Sequence, residues 1–430
     1  MKRLLASSLL GAAFASTAIA TAGSASAQAY LPPDELIEAA LRGQPEVRAA
    51  AAQVEMARAE ARALSVGSHE FSATVTPLRR NVDGAGHYQE WEFQLERRIR
   101  LPGKARLDRE IGSHGVAAAE LLFDDAEHMA ARQLLSRWMA WLRSGLVADE
   151  MAAQATLMGK EVATLKRRVE MGDAAQRELE LLEAEQAQLR AEAISARAAA
   201  DMATQALSGE FPQIPLPSRL PELPAPELLA EGAQHWRELI IQRSHEIAAS
   251  REDFGRQQRV ADRALAERHA DPSVGIRVLN ELGGAEQAVG LVLNLPFGGS
   301  HRSALAARER ANADVFEAEL ASVTRMIELE ARQTTQAVEQ LHARWQARYQ
   351  ALAAMQRASE RTRRAWELGE ADLSEYLLAQ RNHRQAQLDE TQARVDALEA
   401  IQRVHVDSHE LWHPELAEET AASPGDLPRL

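Results

Sequence analysis

Three histidines near the C-terminus stand at a metal-ligand spacing. His405, His409 and His413 lie four apart, so a continuing helix would stack them on one face, where imidazoles at this spacing bind divalent transition metals. No H-E-x-x-H motif accompanies them and Pro414 ends any helix there, so the competing reading is a surface stripe that holds no metal. Gly103-Lys104 lacks the upstream glycine and following Ser or Thr of a phosphate loop. The chain contains no cysteine, which removes disulfides, thiolate ligands and thiol nucleophiles. No nucleophile–base constellation or cofactor loop can be assembled from the remainder. The chain reads as a non-enzyme that needs no cofactor.

The elements that must carry these residues occur twice. "PEVRAAAAQVEMARAEARAL" from Pro45 is answered by "HEIAASREDFGRQQRVADRAL" from His245, and "RRVEMGDA" around Gly172 by "RAWELGEA" around Gly369. The first repeat spans 28–209, with a helix, a β-hairpin at 71–99 and a long helical hairpin turning at 172. The second spans 227–413, with its β-hairpin at 274–297 and its turn at 369. A linker at 210–226 holds Pro212, Pro215, Pro217, Pro221, Pro224 and Pro226 and is expected to be extended. The tail, 414–430, has little to bury and is expected to be disordered.

The first 27 residues read as a signal peptide. Lys2 and Arg3 precede an apolar run from Leu4 to Ala20, and Ala25-Ser26-Ala27 forms an A-x-A cleavage site before Gln28. Their loss takes the formal charge from −14 to about −16. That acidity disfavours nucleic acid, which needs clustered Lys and Arg. No stretch of the mature chain is apolar for about 18 residues, so a membrane crossing would have to use strands.

Strand patterns are present in both hairpins. Phe71, Ala73 and Val75 alternate with Ser72, Thr74 and Thr76, and Trp91, Phe93 and Leu95 alternate with acids and Gln94. Val274, Ile276 and Val278, then Val289, Leu291 and Leu293, repeat the pattern. Segments of roughly 9–11 residues suffice to cross a bilayer at a tilt, which makes Phe71, Val75, Trp91, Phe93, Leu95, Val274, Ile276, Val278, Leu291 and Leu293 the expected lipid-facing set. After each hairpin comes a proline-free run of some 65 residues, or roughly 100 Å of helix. Phe316, Leu320, Val323, Ile327, Val338 and Leu341 form a heptad seam with a stutter. Four strands are too few to close a barrel, whereas three chains would supply twelve strands and twelve helical arms. The expected fold is therefore mainly α with a small β part: a long antiparallel α-helical coiled-coil barrel plus four strands per chain in a trimeric 12-stranded outer-membrane β-barrel.

This pattern resembles the TolC-like outer-membrane efflux factors over essentially the whole mature sequence. The resemblance is carried by the paired repeats, "LRGQPEVRAA", the G-[DE]-A turns and "LLAQRNHRQAQLDETQARVDALEAIQ". "RIRLPGKARLDRE", from Arg98 to Glu110, is similar to the heavy-metal (CzcC-like) branch. The resemblance implies a homotrimer in the outer membrane of a Gram-negative bacterium, extending into the periplasm and contacting outer-membrane lipid. It further implies docking on a periplasmic adaptor (membrane fusion) protein and an inner-membrane resistance-nodulation-division pump, with heavy-metal cations as the exported substrate.

The resemblance also assigns residues. The periplasmic entrance constriction would use Glu375, with Asp372 and Glu370 nearby; a second family acidic position falls on Leu378 and departs from the pattern. The adaptor-docking tips would be Met171, Gly172 and Asp173 on one arm and Leu368, Gly369 and Leu373 on the other. The gate is placed on the second copy, and the first is assigned mainly to wall and docking tip. Lys104, with Arg97, Arg98, Arg100 and Arg106, would mark the membrane–periplasm border, and Trp91 an interfacial aromatic. The rival readings are a periplasmic adaptor and a secreted coiled-coil scaffold or metal-binding protein.

Overall fold

Proline and glycine punctuate the chain where its elements begin and end. The computed structural model describes residues 29–84 and 86–412; the expected signal peptide, His413 and the tail lie outside the described residues. Helices α1 (Asp34–Arg42) and α2 (Pro45–Val66) lead into β1 (Phe71–Val82) and β2 (Gly86–Arg98). The 69-residue α3 (Pro102–Glu170) and the 35-residue α4 (Gln176–Glu210) complete the first copy. The second copy runs α5 (Gly232–Arg243), α6 (His245–Ala266), β3 (Ser273–Glu281), β4 (Glu286–Asn294), α7 (Ser300–Glu367) and α8 (Leu373–Asp407). Pro45 and Pro102 open α2 and α3, where a missing N–H costs nothing. The copies match in length: α2 and α6 have 22 residues each, and α7 and α8 have 68 and 35. The duplication in sequence is a duplication of structure.

The two hairpins merge into one antiparallel sheet of order β1-β2-β3-β4, because β2 of the first copy pairs with β3 of the second. The helices follow a parallel logic. α2 packs along α3, α3 along α6, and α6 along α7, while the return arms α4 and α8 pair with α3 and α7. Among the described residues, no helix packs along the side of α7 that corresponds to the α6-covered side of α3.

The apolar core is split along the rod. At the waist Leu41, Leu134, Trp138, Leu142, Phe211 and Val395 are buried together, and Trp236, Val338 and Val404 form a neighbouring cluster. At the far end Met158, Leu165, Leu182, Leu373 and Tyr376 pack between the arms. Each such side chain contributes about 1.5–3 kcal/mol of transfer free energy. The linker joins the waist through Phe211, Ile214 and Leu223.

Ions weld the two copies where helices meet strands. Lys104 is 1% exposed, and its Nζ lies 2.9 Å from both Glu267 and Asp271 of the second copy. Arg263 Nε donates to Asp108 at 2.7 Å, and Arg100 donates to the other oxygen of Asp108 and to the Leu64 and Ser65 carbonyls that close α2. Burial pushes Asp271 upward, but bonds from Lys104 and the Leu101 N–H outweigh it and hold the carboxyl below its ordinary range. Lys104, expected at the membrane–periplasm border, lies where the helices meet the strands and turns its charge inward. It is the buried centre of an inter-repeat knot.

Candidate functional site

Register places the alternating residues on the two faces of the sheet. On one face the first row reads Phe71, Arg97, Val274, Leu293; the second Ala73, Leu95, Ile276, Leu291; the third Val75, Phe93, Val278, Val289. The next row, Pro77, Trp91, Asn280 and Gln287, begins the polar margin at the loop end. The opposite face carries Ser72, Thr74, Thr76, Glu92, Gln94 and Glu96 on the first hairpin, and Arg277 beside Leu279, Ala288 and Val292 on the second. Arg277 pairs with Glu92 across the strands. All ten residues expected on the lipid side share the apolar face, joined by Ala73 and Val289. Leu291 is 90% exposed and Val289 78%. Such a face cannot stay in water, and both sheet edges, β1 and β4, are unpaired among the described residues.

The arm tips use one device twice. Met171 ends α3 and Leu368 ends α7; Gly172 and Gly369 follow with φ of 82° and 78°. Asp173 N–H bonds Arg168 O, and Glu370 N–H bonds Ala365 O, each at 2.8 Å, closing both helices with a Schellman turn that requires the left-handed glycine. Met171 and Leu368 are exposed there. Leu373, expected beside them, is only 3% exposed, because the first turn of α8 folds it into the tip cluster. It is a packing residue, not a surface contact.

The carboxylates at the second tip divide by role. Asp372 caps α8, its side chain accepting from the Ser374 and Glu375 N–H groups. Glu370 and Glu375 are exposed, as is Leu378. Glu178 stands six residues past Gly172 just as Glu375 does past Gly369. The acid itself therefore does not distinguish the copies. What differs is the cap, since Ala175 occupies the position of Asp372 and offers no side-chain bond. Tyr376 is a second difference: it stacks on Trp366 at 4.8 Å and donates to Glu161 at 2.8 Å, where the first copy has Leu179.

The histidine stripe does not form. α8 ends at Asp407, and His409 adopts φ 61°, with Glu410 N–H bonding His405 O at 2.8 Å. The helix stops before the third histidine, which lies outside the described residues. His405 sits edge-on to Trp236, while His409 turns away to stack on His245 and meet His128 edge-on at 4.9 Å. Among the described residues no group of His, Asp or Glu is placed to hold a metal ion. Linear spacing could not show this reassembly, because its partners come from α3 and α6.

The geometry defines a class: a duplicated rod of paired long helices carrying an open four-stranded sheet. No family model matches the sequence, and no curated protein matches it. Solved structures do share the fold. The outer membrane protein VceC from Vibrio cholerae is 17% identical with TM-score 0.70, the match covering 89% of this chain and 97% of that one. The outer-membrane channel OprN is 16% identical with TM-score 0.73, covering 90% and 92%. The Campylobacter jejuni CmeC outer membrane channel is 15% identical with TM-score 0.70, covering 91% and 90%. The chain has the fold of these outer-membrane proteins.

Proposed function

We propose that this chain is one third of an outer-membrane exit duct, passively conducting exported solute from the periplasm across the outer membrane of a Gram-negative cell. The carrying observation is the sheet: a continuous exposed apolar face, a more polar opposite face and two free edges at the end of a rod roughly 100 Å long. Three copies joining β4 to β1 close twelve strands and leave no edge. The same rotation sets the open side of α7 against α2 of the next protomer, repeating the α3–α6 packing already made within the chain. The polar face then lines the pore.

In this reading the exposed tips, Met171-Gly172-Asp173 and Leu368-Gly369, meet a periplasmic adaptor that links the duct to an inner-membrane resistance-nodulation-division pump. Glu375 and Glu370, each present three times, line the entrance and attract cations, while Asp372 holds the helix that carries Glu375. Heavy-metal cations are the proposed cargo, on the likeness of the Arg98–Glu110 segment to that branch.

Because the native chain has no cysteine, pairs introduced along β1 and β4 test closure directly. A disulfide-linked trimer in extracted outer membranes, migrating faster before heating than after, is the expected result. Recovery as a soluble monomer would sink the duct. Sensitivity of a deletion strain to divalent metals, compared with drugs, tests the cargo separately.

A further inference from the structure

Every outward side chain in the three apolar rows is uncharged except one. Arg97 stands in the first row between Phe71 and Val274. On the helix side the surface is mixed, with Val66 and Ile99 exposed beside His69 and Arg100. The guanidinium therefore stands in the last apolar row before the helices, the level at which a leaflet's headgroups would lie in the membrane reading. Nε donates to the His69 carbonyl at 2.8 Å, and the guanidinium carbon sits 5.0 Å from the centre of the Phe71 ring. Among the described residues no carboxylate pairs with Arg97. Glu96, its neighbour in sequence, takes the opposite face by strand parity, and the nearby Arg100 is committed to Asp108. Arg97 shares a groove of about 720 Å³ with the apolar Phe71, Leu95 and Val274 and with the charged Glu96, Arg98 and Arg100.

We propose that this groove is a binding site for an anionic phospholipid, with Arg97 holding the phosphodiester and the acyl chains lying over the first two apolar rows. The inference rests on the membrane reading above. Its chemistry follows from three features. The planar guanidinium fork matches phosphate with two parallel hydrogen bonds. The cation lies at the helix end of the sheet and the apolar rows extend toward the loops, which is the head-to-tail polarity of a lipid in the helix-side leaflet. Among the described residues Arg97 has no carboxylate partner, and the groove's lining holds Arg98 and Arg100 against the single Glu96, so a headgroup bringing no cation of its own, such as phosphatidylglycerol, fits better than a zwitterionic one. The groove is also of the size that encloses small ligands.

Native mass spectrometry of the assembled protein, reconstituted with phosphatidylglycerol and phosphatidylethanolamine in equal amounts and then released into detergent, tests this. Wild type is expected to retain phosphatidylglycerol preferentially, up to one per protomer. Arg97→Gln should lower that retention by on the order of tenfold, and Arg97→Lys should fall between, because an ammonium lacks the fork. Arg277→Gln, on the opposite face and outside the groove, should retain lipid as wild type does. Equal retention by wild type and Arg97→Gln would overturn the lipid site and leave the duct standing. Phosphatidylethanolamine held as tightly as phosphatidylglycerol, or lipid displaced by millimolar inorganic phosphate, would also overturn it. Failure of the protein to enter membranes would overturn the duct and the lipid site together.

Discussion

The third residue of each long helix shows how differently two equal repeats are joined. In α3 it is Lys104, buried and bonded to Glu267 and Asp271 of the other copy. In α7 it is Arg302, half-buried, making no ion pair among the described residues, with Nη1 shielded from solvent and lacking an acceptor. The element lengths have stayed equal while the joints have diverged. One joint is closed inside the chain by Glu267 and Asp271; in the proposed trimer the other would face the next protomer. Lys104→Met should separate them most sharply. Removing one partner of a buried ionic group typically destabilises by about 3–5 kcal/mol, measurable as a shift in denaturation of the detergent-solubilised protein. Arg302→Met should change the same measurement by less than about 0.5 kcal/mol. Equal losses would erase the contrast.

At the waist the copies meet through titrating groups as well as through fixed pairs such as Arg132–Asp407 and Arg143–Glu399. His128 of α3 faces Arg132, His409, His245 and Arg403, with Asp407 nearby at 3.8 Å. Burial, then Arg132, pushes its imidazole down to about 2. Asp125, one turn earlier, is pushed up to about 7 by burial and by the Glu246 carboxylate, with Arg132 opposing and Glu330 adding to the rise. The signs are opposite. His128 stays neutral when folded while the unfolded chain takes a proton below about 6.5, so stability is lost as pH falls from there. Asp125 keeps its proton when folded while the unfolded chain releases it above about 3.9, so stability is lost as pH rises from there through 7. Denaturation midpoints between pH 4 and 8 should fall less steeply on the acid side in His128→Gln and less steeply toward neutrality in Asp125→Asn. If both variants keep the wild-type profile, these groups do not set it.

The turns are where the copies should behave alike. A Cβ at Gly172 or Gly369 would meet nothing within 4 Å, so alanine there is penalised by the left-handed backbone alone, about 1–2 kcal/mol at each site. Matched losses in the two single variants, read from hydrogen exchange of the arm tips, are expected. A large loss at one tip only would mean that the turns are not equivalent.

What was legible in the sequence follows the range of each interaction. Glycine turns, proline-started helices and two-residue alternation are local, and they located both hairpins and both arms. Pairing of β2 with β3 was not readable from either hairpin, although alternation in all four strands foreshadowed a shared apolar face. The histidines failed for the same reason in reverse: fourfold spacing assumes an unbroken helix, and His409 takes the left-handed position that glycine fills at the arm turns. Lys104 was expected only as a border residue, and its pairing was not readable because its two carboxylates lie more than 160 residues away in sequence. Leu373 was placed at the tip surface by its nearness to Gly369, whereas one further turn of helix rotates it inward.

The smallest difference between the copies is the helix cap after each turn, and it can be exchanged. Hydrogen bonds, first to Ser374 and then to the Glu375 N–H, hold the Asp372 carboxyl below its ordinary range. Its contribution is therefore complete above about pH 3.9 and is lost as pH falls through the lower folded value. Asp372→Ala should speed amide exchange at Ser374 and Glu375 severalfold near neutral pH, and the difference from wild type should vanish in strong acid. Ala175→Asp should add the missing cap to α4 and stabilise its first turn by about 1 kcal/mol, slowing exchange at Arg177 and Glu178. If the second copy carries the gate because its tip is the more firmly held, the double exchange moves that firmness to Glu178 while leaving both acids in place. Conductance of the purified duct before and after the exchange then separates the two explanations: a changed entrance assigns gating to the cap, and an unchanged one returns it to the ring of acids.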